Sequence, residues 1–240
     1  MDMRRHRAIP RADHILECVA RAGKPLSLSD IAREIEAPVS STHDLVDDLR
    51  VCGYLTRVGA GYRLGQRLRT LRLIAGHADQ PPLTPDELTE LNAVIEAPVA
   101  LAVLVGSDLV YLHGVGEVPA EIGAVVRDHV PRPLLATAGG RAMLAFLPAD
   151  ERAALLAEHA SPGEAVAFGR EIDEIRACGY ALTDGSVQSA LRVAGVPVFG
   201  GRRLLAVVVV AAPRISGRPS PALQHAARRT AAWLAARART

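Results

Sequence analysis

A chain of 240 residues is long enough for two modest domains, and 49% hydrophobic against 22% charged residues excludes a long disordered segment of low hydrophobicity and high charge. Three cysteines, Cys18, Cys52 and Cys178, with an odd count and no CxxC spacing, argue against a disulfide framework and a thiolate zinc site and suit a reducing cytoplasm. The net charge of +2 conceals a split: residues 1–75 hold 13 Lys/Arg against 9 Asp/Glu, so the half that seeks a polyanion is the first.

The basic start, residues 1–12, is not followed by an apolar core and cleavage site. The longest apolar run, 204–213, is too short to span a bilayer, so a cytoplasmic protein is expected. From Asp13, apolar residues Ile15, Leu16, Val19 and Ala20 recur at helical spacing until Gly23-Lys24-Pro25 stops the helix. Ser27 and Ser29 offer N-cap hydroxyls to a second short helix running to Ile35, which Glu36-Ala37-Pro38 breaks. Ser40-Ser41-Thr42 then reads as the cap of a third helix whose apolar face is Leu45, Val46, Leu49 and Cys52. Residues 54–58 and 62–64, separated by Gly59-Ala60-Gly61, read as a hairpin.

Three short helices followed by a glycine-turned hairpin within about 65 residues describe a winged helix-turn-helix. A third helix held across two others can enter the major groove with its N-terminal side chains at base edges, here Ser40, Ser41, Thr42 and His43. Ser27 and Ser29 begin the second helix, where free N–H groups and the positive dipole end suit a phosphate. Arg57 and Arg63 bracket the wing turn, and Arg4, Arg5 and Arg7 form an arm able to reach backbone or minor groove. Double-stranded operator DNA is the partner these residues imply.

Residues 27–65, SLSDIAREIEAPVSSTHDLVDDLRVCGYLTRVGAGYRLG, resemble the winged helix of IclR-type regulators, with GYRLG at 61–65 its characteristic ending. Where that family usually has an arginine after the Ser-Thr pair, this chain has Asp44, followed by Asp47 and Asp48, and acids there repel phosphate. Residues 66–75 form an amphipathic helix with Leu68, Leu71, Leu73 and Ile74 among Arg67, Arg69 and Arg72. The resemblance implies that it pairs two subunits into a dimer or a dimer of dimers; packing on its own domain is the alternative.

Beyond Thr84 the patterns predict a helix over 86–96, strands over 99–105 and 109–115, a helix over 137–147 and another before Gly179-Tyr180. Two apolar runs, 193–199 and 204–211, joined by Gly200-Gly201-Arg202-Arg203, suit an antiparallel hairpin, and an alanine-rich helix begins near Pro221. The fold class is α+β: a winged helix-turn-helix over 1–65, a linker helix over 66–82, and a domain with a mainly antiparallel sheet over 83–240.

RPLLATAGGRAMLA at 132–145, with later landmarks at 175–180 and 197–199, is similar to the effector domain of the same family, so the resemblance covers nearly the whole chain. It implies a GAF-like sensor whose small-molecule effector touches Ala138, Gly139, Thr183, Asp184, Leu191, Val193, Val209 and Ala211. Small residues at 138–140 let a ligand approach a helix N-terminus, favouring its carboxylate or phosphate there, or else serve close helix packing. Val193, Val209 and Ala211 stand where the family's small-acid sensors are more polar. Since an unpaired buried polar group costs roughly 1–3 kcal/mol, the effector is expected to be larger or more apolar than a two- or three-carbon keto acid.

P-loop, GxSxG and HExxH motifs are absent, and Gly114-x-Gly116 does not continue to a dinucleotide loop, so no catalytic residue, cofactor or metal is assigned. His113 and His129, placed among strands near Glu117, Glu121 and Asp128, lack ligand spacing. Cys178 reads as a helix-end packing residue. The expected function is an operator-binding transcription regulator that responds to a metabolite; a metabolite-modifying enzyme tethered to DNA and a ligand-free architectural DNA binder are the rival readings.

Overall fold

The computed structural model describes residues 8–75, 81–183, 191–213 and 221–237. The chain divides into two compact units, Met1–Asp79 and Gln80–Thr240. The first contains α1 (Ala8–Arg21), α2 (Leu28–Glu34), α3 (Val39–Val51), β1 (Leu55–Val58), β2 (Gly61–Leu64) and α4 (Arg67–Ile74). Helix α1 begins five residues before Asp13 because Pro10, lying in the first turn, has no intrahelical partner to lose there. Ile15, Val19, Ile31, Val46, Leu49 and Leu55 form one core, each helix contributing the apolar stripe its spacing predicts. The hairpin pairs Leu55 with Leu64 through Val58 with Gly61. Leu26, just ahead of α2, exchanges backbone hydrogen bonds of 3.0 and 2.8 Å with Tyr62, so the base of the hairpin is stitched to the helices.

Two expectations fail in α3. Its N-cap is Pro38 and not the Ser40-Ser41-Thr42 triplet, whose last two hydroxyls instead donate back to the Pro38 carbonyl at 3.1 and 2.9 Å. The proline before Val39 already fixes an extended residue at the boundary, so the helix starts at Val39, at least two residues earlier than a cap in that triplet would allow. Cys52 is exposed at the C-cap, so the apolar face ends at Leu49; Cys178, at the end of α9 (Pro162–Cys178), is exposed too and not packed.

The second unit continues with α5 (Pro85–Ile95), β3 (Val99–Val105), β4 (Asp108–Val115), α6 (Ala120–Arg127), β5 (Arg132–Pro133), α7 (Ala138–Phe146), α8 (Ala149–His159), α9, β6 (Ala181–Thr183), β7 (Leu191–Gly200), β8 (Arg203–Pro213) and α10 (Pro221–Arg237). Among the described residues the strands form one sheet in the order β5-β4-β3-β8-β7-β6, every pairing antiparallel. Helices α6 and α8 are not among the predicted elements. The β7–β8 register sets Val193 against Ala211 and Val196 against Val208, so alternate residues serve opposite faces. Val99, Leu101, Val196, Val208 and Val210 pack with α5 and α10, while Ala102, Leu109, Val207 and Val209 pack with α7 and α9.

Helix α7 lies against the second face at very short range. A Cβ on Gly139 would come within 2.8 Å of Leu109 and 2.9 Å of Val209, and one on Gly140 within 2.1 Å of the Leu134 carbonyl oxygen. The Thr137 side chain caps α7 by accepting from the Gly140 amide at 3.0 Å. Thr137→Val keeps the shape and removes the acceptor; it should cost about 1–2 kcal/mol, read from urea unfolding, because the cap is buried.

Candidate functional site

Of the residues expected to meet DNA, Arg4, Arg5 and Arg7 lie outside the described residues. Ser40 and His43 are exposed on α3 and Ser41 is half-buried. Thr42 is fully buried, its hydroxyl held by Pro38, so it cannot be presented to a base edge in this arrangement; it is a core residue of the helix packing. The outer face of α3 also carries Asp44, Asp47 and Asp48, and Arg50 offsets one of them through a 2.8 Å ion pair with Asp47. His43 and Asp44 approach at 3.6 Å.

Ser27 and Ser29 part company. The Ser27 hydroxyl donates to the Asp30 carboxylate at 2.7 Å while accepting from the Asp30 amide, and Arg33 closes on the same carboxylate at 2.5 Å. Those hydrogen bonds, Ser27's first, hold the Asp30 carboxyl below its ordinary range. A carboxylate thus already occupies the place a phosphate would take at the start of α2, whereas Ser29 is exposed. In the hairpin Arg57 lies opposite Tyr62 and Arg63 opposite Thr56. Directly paired residues share a face, so the two exposed arginines leave opposite faces of the ribbon.

The second unit contains a half-open cavity of about 500 Å³ on the α7 face of the sheet. Ala138, Thr183, Leu191, Val193, Val209 and Ala211 line it together, from the start of α7 and the ends of β6, β7 and β8. Asp184 lies outside the described residues. Gly139 faces Leu109 and Val209 rather than the cavity, so its lack of a side chain serves close helix packing.

The opposite wall was missed by sequence reasoning. It comes from β4, α6 and the residues leading to β5: Tyr111, His113, Ile122, Val125, Val126, Arg127, His129 and Arg132. Ile122, Val125 and Val126 sit at i, i+3 and i+4 after Pro119, a helix signal that was present. Gly114 lets α6 lie close to β4, since a Cβ there would stand 3.1 Å from Val126. At the end of α6, the Val130 amide donates to the Val125 carbonyl and His129 takes a positive φ of 49°. A histidine in this left-handed position, where glycine is usual, is held by its Nδ1 donating to the Tyr111 carbonyl at 2.6 Å. Burial pushes the Tyr111 phenol up to about 12, with nearby Arg132 pulling the other way, so it is a neutral donor at physiological pH.

Residues 8–59 match the IclR helix-turn-helix domain and residues 83–236 match the bacterial transcriptional regulator IclR C-terminal domain. The chain is similar to the Escherichia coli HTH-type transcriptional regulator XynR, 26% identical over 204 residues, 80% of each chain. It also matches the Cupriavidus necator protein named Probable transcriptional regulator SauR, at 29% identity over 221 residues and 86% of each chain. An IclR-type structure from a Silicibacter species has a TM-score of 0.61 at 25% identity, with 95% of this chain and 96% of that one covered. The fold is shared by an IclR homologue from Microbacterium hydrocarbonoxydans complexed with 4-hydroxybenzoate, at a TM-score of 0.61 and 21% identity, with coverage of 95% and 99%. With both domain matches in order along it, the chain belongs to the IclR family: a transcriptional regulator with an N-terminal helix-turn-helix DNA-binding domain and a C-terminal effector-binding domain.

Proposed function

We propose that this regulator contacts operator DNA through Ser40, Ser41 and His43 on α3, Ser29 at α2 and the wing arginines Arg57 and Arg63, with Arg4, Arg5 and Arg7 as an arm. The opposed arginines of the hairpin favour a ribbon standing edge-on in the minor groove, one guanidinium for each flanking phosphate strand. Because three acids stand on α3, much of the affinity rests on the wing and arm. A dimer fits a palindromic site. Its pairing element is α4: no residue of that helix is buried, and Leu68, Leu71, Leu73 and Ile74 are 37 to 74% exposed. A cytoplasmic location follows from the DNA partner.

The effector enters the C-terminal cavity. What carries this reading is the convergence of six separately encoded lining residues, from Ala138 to Ala211, on one cavity. The walls of valine, leucine and isoleucine favour a ligand with a substantial apolar body, as the Microbacterium homologue's 4-hydroxybenzoate has. Binding there alters the spacing of two winged helices in the dimer. Fluorescence anisotropy on the upstream intergenic DNA tests the DNA half. Arg57→Ala and Arg63→Ala should each lower affinity and flatten the log-affinity against log-salt plot by about one unit of slope. Unchanged slopes in the double variant would remove the wing from the interface.

A further inference from the structure

The effector reading leaves open where a charged ligand group sits, and the helix N-terminus near Ala138 is the obvious candidate. One of its donors is committed, since Thr137 accepts from the Gly140 amide, and the Cα atoms of Gly139 and Gly140 press against Val209 and the Leu134 backbone, which leaves little room there for a ligand group. The opposite wall differs. Arg132 pairs with Leu109 across β4 and β5, and Leu109 belongs to the core on the cavity face, so Arg132 and Tyr111, two residues further along the same strand, share that face.

Among the described residues lining the cavity are two arginines and two histidines, and none is acidic. No carboxylate among the described residues pairs with Arg132. A half-buried guanidinium beside an apolar chamber favours an anion of planar, two-oxygen shape. The Tyr111 hydroxyl adds a neutral donor beside it, and the His129 tie to the Tyr111 carbonyl fixes the loop that carries Arg132 against β4.

Resting on the effector reading above, we infer that Arg132 and Tyr111 form an anion clamp, which holds the carboxylate of a monocarboxylic acid while its ring or branched chain extends toward Val193, Val209 and Ala211. The ligand therefore lies with its charge at the β4–β5 wall and its apolar end near α7, the reverse of what the glycine-rich start of α7 suggests.

Calorimetry on the full-length protein with benzoate, 4-hydroxybenzoate and cyclohexanecarboxylate, each beside its uncharged carboxamide, tests this orientation. The acids should bind at least about tenfold more tightly than the amides, the yield of one charge-assisted contact. Arg132→Met should erase that preference while leaving amide binding unchanged, and Arg132→Lys, which keeps charge but not the planar fork, should retain part of it. Tyr111→Phe should weaken acid binding by a smaller factor. Equal binding of acids and amides, or an Arg132→Met protein that still prefers acids, overturns the clamp; so does wild-type protein that binds none of the acids at millimolar concentration. Ala211→Phe, at a half-buried position of the cavity wall, fills the apolar end. If it abolishes binding while Arg132→Met changes nothing, the clamp fails and the cavity stands; if it changes nothing, the cavity reading fails as well.

Discussion

Gly140→Ala should cost the C-terminal unit about 3 kcal/mol or more and leave little folded protein at 37 °C. The added methyl would stand 2.1 Å from the Leu134 carbonyl oxygen and 2.4 Å from its Cα, both backbone atoms that no rotamer change can move. Relief requires α7 to lift from the sheet, which opens the packing of Gly139 on Leu109 and Val209 and exposes part of a core that includes Ala142, Met143 and Leu144. Gly169→Ala is the matched control. It sits in the middle of α9 with nothing within 4 Å of the new Cβ, so it should stabilise the protein by about 0.5–1 kcal/mol through helix propensity alone. Urea titrations of the two variants would read both numbers; a loss below about 1 kcal/mol for Gly140→Ala would show that α7 slides freely on the sheet.

Phe168→Ala should have an effect of similar size, about 3–5 kcal/mol, for a different reason. Phe168 is 1% exposed and, among the described residues, the largest fully buried side chain, yet α9 buries only it and Ile175 along 17 residues. Seven residues apart, they lie on one stripe two turns from each other. The flanking polar contacts, Arg141 with Glu171 and Arg176 with the Ala145 carbonyl at 2.7 Å, align α9 on α7 but stand in partial solvent and contribute much less. The variant loses the transfer energy of the ring and leaves a void that neighbouring residues cannot close. A fall in urea midpoint with an unchanged slope of free energy against urea checks it; a falling slope would mean that α9 had already detached in the native state.

The fold was largely readable where elements are long and periodic. The β7–β8 hairpin, α7 and α10 declared themselves through apolar runs, glycine turns and proline starts, and the antiparallel sheet followed. Boundaries erred where proline acts ambiguously: Pro10 lies inside α1, and Pro38 displaced the serine-threonine cap of α3. The candidate site was half readable. Its floor, from Ala138 to Ala211, came from resemblance, and structure then gathered it into one cavity. Its other wall was missed because 116–131 begins and ends with glycine and proline and carries the β-branched pair Val125-Val126, which masked the helical spacing of Ile122. No local pattern could show that Arg132 shares a face with Tyr111, since that depends on a two-residue strand pairing far from any turn. Thr42 and Ser27 illustrate the converse limit: residue type suits DNA, but burial of one and the Asp30 bond of the other settle what their hydroxyls do.

The stitch between Leu26 and Tyr62 bears on how such a regulator can change its targets over evolutionary time. Those two hydrogen bonds run between main-chain atoms, so they survive nearly any side-chain replacement short of proline. Mutations at Ser40, His43, Asp44 and Asp47 on the outer face of α3 therefore leave the hairpin's arginines in place. Base preference can diverge one position at a time between gene duplicates while general grip on the duplex is inherited intact.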